Sequence, residues 1–221
     1  MTTAITTRER LLDAAAAALA EDGVAGVSAR SVAGRAEVNQ ALVFYHFGSV
    51  AGLLDAAVRR SVAQAVASYR DRFADITTLA ELLAVGRDLH ESERRAGNVL
   101  QMAQVMAGAM RDETLAGAGR YAMDRWCAEV GNMLTRVLPA TPLAGLVDPA
   151  GLARAVAAGF IGLELYDGVD AEAAASALAS LDAIGALLSA FDGLPPVAVR
   201  GVRSRARRSL ARAAAARGGT A

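Results

Sequence analysis

Lysine is absent from the 221 residues, so all 23 basic side chains are arginines. That excludes a phosphate-binding P-loop, which needs a lysine after its glycines. A single cysteine, Cys127, excludes an intramolecular disulfide and a cysteine-ligated metal cluster; it reads as a small buried hydrophobe. The two histidines, His46 and His90, lie far apart and fit no zinc-ligand spacing. No run approaches the roughly 18 to 20 strongly apolar residues of a spanning helix without polar interruption, so no membrane partner is expected. Met1 to Arg10 lacks the apolar segment of a secretory signal, which predicts a cytoplasmic protein. Nucleophile elbow, dinucleotide glycine fingerprint and paired acid and base are all missing, so neither catalysis nor a cofactor is expected. Strand alternation and internal repeats are missing too.

What the chain does have is alanine and unevenly placed charge. Hydrophobic residues make up 54%, with a mean hydropathy of +0.30, and alanine forms helix at the lowest propensity cost. Basic and acidic residues balance at 23 each. The balance hides a segregation: every charged residue from Arg200 onward is an arginine, seven in all, which leaves −7 on Met1 to Val199.

Start and stop signals divide the chain into helices. Thr6 and Glu9 form a capping box before an apolar face of Leu12, Ala15, Ala16 and Leu19, and Gly23 is expected to end that helix. Ser28 caps a short helix to about Ala36. A third runs from near Asn39 to about Tyr45. After Gly48, Ser49 caps a long fourth helix to about Arg70. Further helices are predicted over Leu79 to Arg94, Val99 to Met110, Leu115 to Leu138, Pro149 to Tyr166 and Ala171 to Phe191. Asp148 followed by Pro149 is a strong start signal. The basic tail opens at Leu194-Pro195-Pro196 and reads either as a short amphipathic helix or as a disordered arm. The expected division is a helix-turn-helix unit over 1–48, a helical effector-binding and dimerisation unit over 49–194, and the tail over 195–221.

Ser28 to Leu54 carries the chemistry. Two short helices joined by a tight turn are what entry into a DNA major groove requires. Ser28 at a helix start aims backbone N–H groups at phosphate. Gln40 can pair with adenine, while Ala41 and Leu42 can touch a thymine methyl. Tyr45 and His46 can bond phosphate oxygens. Arg30 either reaches phosphate or is solvated. Phe44 either contacts DNA or packs.

This stretch resembles the DNA-binding domain of the tetracycline-repressor (TetR) family. Ser28 matches the family's cap, Val32 and Ala33 its inward pair, and Ala36, Glu37 and Val38 its turn. Phe44 and Tyr45 match its aromatic pair, Phe47 its buried aromatic, and Leu53 and Leu54 the start of its fourth helix. Three positions depart. Glu37 replaces a glycine, Phe44 a tyrosine, and Val50 a phosphate-binding lysine, leaving the helix start at Ser49 to face phosphate.

The resemblance implies an all-α fold: an N-terminal three-helix helix-turn-helix domain plus a C-terminal helical ligand-binding and dimerisation domain. It implies a homodimeric repressor on a palindromic double-stranded DNA operator, released by a small apolar or amphipathic effector. The other reading is a helix-turn-helix regulator without such a switch, acting as an activator or under a protein partner. The DNA-contacting set is then Ser28, Arg30, Asn39, Gln40, Ala41, Leu42, Phe44, Tyr45, His46 and Ser49. Met102, Met106, Met110, Tyr121, Trp126 and Phe160 either line the effector cavity or fill the core. Small residues on the last two long helices suit a dimer interface.

Overall fold

Thr6 opens the first helix as its neighbours dictate. Its hydroxyl accepts from the Glu9 N–H at 3.2 Å, and the Glu9 carboxylate accepts from the Thr6 N–H at 2.8 Å. The computed structural model describes residues 6–96, 98–110, 112–192 and 194–218. Within them α1 spans Thr7–Gly26, α2 Ala29–Arg35, α3 Ala41–Phe47 and α4 Val50–Asp75. Then come α5 (Leu79–Ala96), α6 (Asn98–Ala109) and α7 (Glu113–Val137), followed by a 3₁₀ turn at Leu138–Ala140. The last three are α8 (Pro149–Asp167), α9 (Ala171–Asp192) and α10 (Pro196–Gly218). The fold is all-α.

Three boundaries differ from expectation, and the tail takes the helical one of its two readings. Gly23 kinks α1 instead of ending it, with φ of 72°. The third helix starts at Ala41, not Asn39, because the Asn39 carboxamide accepts from the Ala41 N–H at 2.8 Å and so stands before the helix. The fourth continues past Arg70 to Asp75. The described residues of the basic tail form one helix of 23 residues.

Two cores share one long helix. The first is built on Leu11, Leu12, Leu19, Val32, Val43 and Leu53, and it continues through Val62 and Val66 of α4 to Val105 of α6 and Leu115 of α7. The second joins Tyr69 and Phe73 of α4 to Met133, Leu134 and Val137 of α7 and Ala153 of α8. Trp126 packs against both. Leucines this deeply buried contribute about 1.5 to 3 kcal/mol each. α1 to α3 alone do not close their core; α4, α6 and α7 complete it, so α3 is seated by the packing of the rest of the chain.

Candidate nucleic-acid interface and effector cavity

The helix-turn-helix is held by its own backbone. The Ser28 hydroxyl accepts from the Ser31 N–H at 3.0 Å, and the Ser31 hydroxyl accepts from the Ser28 N–H at 2.9 Å. Val32 and Ala33 are buried beneath α2. At the far end of α2 the Val38 N–H reaches back to the Ala33 carbonyl at 3.0 Å, and the Glu37 N–H to Gly34 at 3.2 Å. This is a Schellman closure, and it requires a left-handed residue. Glu37 supplies it with φ of 52°, so glutamate sits where glycine is physically preferred. Arg10 compensates: its Nη2 donates to the Ala36 carbonyl and to the Glu37 carbonyl, and it lies 3.9 Å from the Glu37 carboxylate. Reading the motif from sequence missed Arg10, because its partners lie in a different helix.

α3 is fixed by Val43, which is fully buried. Leu42 is half-buried and packs on the first core. Gln40, Ala41, Phe44 and Tyr45 face outward, Tyr45 being 80% exposed and Phe44 48%. His46 is half-buried between Tyr45 and Phe47, in edge contact with both rings. The Arg8 guanidinium lies over the Phe47 ring, 5.4 Å from its centre. Ser49 is exposed and caps α4, its hydroxyl accepting from the Gly52 N–H at 2.9 Å. Ser28, Arg30 and Asn39 are exposed as well. Among the described residues no carboxylate pairs with Arg30, whereas Arg35 is held by Glu21 and Asp22 at 2.7 Å each.

Behind this unit lies a cavity of about 970 Å³, walled by residues of α4 to α9. Met102, Trp126 and Phe160 line it. Met106, Met110 and Tyr121 are not in its wall. Met106 turns its sulfur toward Gly119, Met110 lies past the end of α6 and is 88% exposed, and Tyr121 stacks under the Arg59 guanidinium at 4.7 Å. The methionine spacing is helical, but only its first member faces inward; Val105 takes the next place on that face.

Two features around the cavity were not anticipated. His90 on α5 and Glu164 on α8 form a buried pair, Nδ1 to Oε1 at 2.6 Å, with side chains 6% and 2% exposed. Burial pushes the Glu164 carboxyl up, against the lowering pull of the His90 hydrogen bond. The sequence signal was a charge inside the apolar run of α8. Gln104 is the second. Its side-chain oxygen accepts from the Val24 N–H at 2.8 Å, just beyond the Gly23 kink, and a Cβ at Gly23 would come within 2.5 Å of that oxygen. The break in α1 and the helix beneath it are matched parts.

Residues 11–57 match the family described as bacterial regulatory proteins, tetR family. No curated protein matches the sequence. Among solved structures the chain is similar to a proposed transcriptional regulator from Streptomyces coelicolor A3(2), at 26% identity and a TM-score of 0.64, covering 81% of this chain and 98% of that one. The multidrug binding protein EbrR, solved with imidazole, is 29% identical over 80% of this chain and 94% of its own, with a TM-score of 0.55. Salmonella enterica GusR shares the fold at 20% identity, with a TM-score of 0.66 and coverage of 86% and 98%.

Proposed function

Residues 11–57 match the TetR-family DNA-binding domain, and from that premise we propose that the chain is a TetR-family transcriptional regulator, a homodimeric repressor released from a palindromic operator when a small molecule fills the cavity. Gln40 and Ala41 read base edges. Ser28, Arg30, Tyr45, His46 and the start of α4 at Ser49 position the duplex through its phosphates, and Phe44 packs beside them.

The observation that carries the switch is the make-up of the cavity wall. Val58, Val62 and Ala65 belong to α4, whose N-terminal end supports α3. Met102 and Val105 belong to α6, which grips α1 through Gln104. A ligand that wedges α4 or α6 therefore pushes on elements that seat the reading helix. The wall is largely apolar, so the effector is apolar or amphipathic. EbrR, which has also been solved with proflavin, supports a cavity of this kind. In the dimer, a second copy covers the apolar stretch Ala171–Ala190 of α9, most of which a single chain leaves open.

The test begins with selection of fragments of the source genome by purified protein, which yields the operator. A panel of apolar and amphipathic compounds, proflavin among them, is then scored for thermal stabilisation of the protein and for release of operator DNA. Compounds that do both support the reading. Operator binding that no stabilising compound affects defeats the switch.

A further inference from the structure

We propose that α10 is a second DNA-binding surface, independent of sequence, carried at the opposite end of α4 from the helix-turn-helix. Before α10, carboxylates pair with arginines along the whole chain: Arg35 with Glu21 and Asp22, Arg59 with Asp55, Arg60 with Asp13, Arg70 with Glu129, Arg72 with Asp88 and Arg87 with Asp182. In α10 they do not. The chain has no acidic residue after Asp192, and among the described residues no carboxylate reaches an α10 arginine. Arg200, Arg205, Arg207, Arg208 and Arg212 are exposed.

The charge has a side. Val199, Arg203 and Ala206 are the half-buried positions, and they mark the face turned to the body. At about 100° per residue, Arg200, Arg205, Arg208 and Arg212 fall within an arc of roughly 140° on the opposite face. On the body side Arg203 holds the helix down, donating to the Thr141 carbonyl at 2.9 Å, while Arg207, at the margin of the arc, lies beside Gly145. Arg208 donates to the Ser204 hydroxyl of its own helix, which leaves its charge in place. A basic helix face without carboxylate partners, anchored through Arg203, is built for a row of phosphates, whose condensed counterions it displaces.

The place of the anchor separates this surface from the first. Arg136 donates to the carbonyls of Phe73 and Ala74 at the end of α4, and Thr141 follows Arg136 by one short turn. The anchor thus lies near the far end of a 26-residue helix, about 39 Å from the end that carries α3. A protein so arranged holds one duplex with α3 and a second segment of DNA with α10. An anionic membrane fits less well. The apolar stripe of α10 is valine, alanine and one leucine, without an aromatic, and its Val199 and Ala206 are already turned to the body.

The test uses the full chain with Arg200, Arg205, Arg208 and Arg212 all changed to glutamine, a good helix former, leaving Arg203 and Arg207 in place. Binding to a random-sequence duplex of about 30 base pairs is titrated at several salt concentrations. Capture of a labelled duplex by an immobilised one measures bridging. The variant should bind random duplex about tenfold more weakly near 0.1 M salt, its log–log salt slope should fall by about 2 to 4 per subunit, and bridging should vanish. Changing the same four positions to lysine should restore all three, which separates lost charge from a disturbed helix. An unchanged slope and unchanged bridging in the glutamine variant overturn the proposal. So does a wild-type protein that binds phosphatidylglycerol vesicles but captures no second duplex, or one in which the four charges govern only self-association.

Discussion

At the scale of single residues the sharpest departure is Glu37. A left-handed backbone costs an L-residue about 1 kcal/mol or more relative to glycine, and the exposed ion pair with Arg10 returns little of that. Glu37→Gly should raise stability by about 1 kcal/mol in chemical denaturation, with DNA binding unchanged. A loss of stability would mean that the Arg10 contacts to this turn depend on the Glu37 side chain. The motif alone showed that this position wanted glycine; whether the turn had been rebuilt or strained was not legible, because the answer lies in Arg10, 27 positions away in sequence. Glu164 sets a second test. Its folded carboxyl is raised by burial, so the folded state holds a proton that the unfolded chain gives up. The stabilisation is complete below the ordinary glutamate range near 4.5 and fades as pH rises through the folded value. Glu164→Gln mimics the protonated form and keeps an acceptor for His90. Melting followed from pH 4 to 8 should show a flatter profile for the variant, with its advantage growing toward neutral pH. Parallel curves would remove Glu164 as the source.

At the scale of elements, the helices announced themselves where caps were local. The Thr6–Glu9 box and Asp148-Pro149 stand where expected, the Asp148 carboxylate accepting from the Gly151 N–H at 2.7 Å. The start of α3 was misplaced by two residues because Asn39 is as good an Asx-turn former as a helix former, and only the Ala41 N–H contact decides between them. The inward half of α6 was legible as apolar spacing but not as direction: Met102 faces the cavity while Met106 turns to Gly119. Gln104 was invisible, since a polar residue in an apolar helix gives no sign of a partner 80 positions away. What the joint needs is an acceptor. Gln104→Met, which keeps the shape but loses the oxygen, should lower stability by about 1 kcal/mol and speed exchange of the Val24 amide, while Gln104→Glu preserves both. Equal exchange in all three proteins would show that the amide is protected by something else.

For the molecule as a whole, the unsatisfied surface is apolar. Leu165, Tyr166, Val169, Ile184 and Leu187 of the α8–α9 region are between 47% and 86% exposed in one chain. A face of this kind at the end of a helical protein argues for association. Light scattering near micromolar concentration should give twice the 22.7 kDa chain mass, and Ile184→Glu with Leu187→Glu should return it to the single-chain value without loss of helix. A wild-type monomer would refute the dimer. Leu181 stands on both sides of this question: it is 39% exposed on the outer face and also belongs to the cavity wall. A partition shared by two binding events makes each a lever on the other. If pairing steadies α9, then occupancy of the cavity and pairing of chains obey one linkage relation, and under the proposed switch the dose of effector that frees the operator becomes a function of how much of the protein the cell has made.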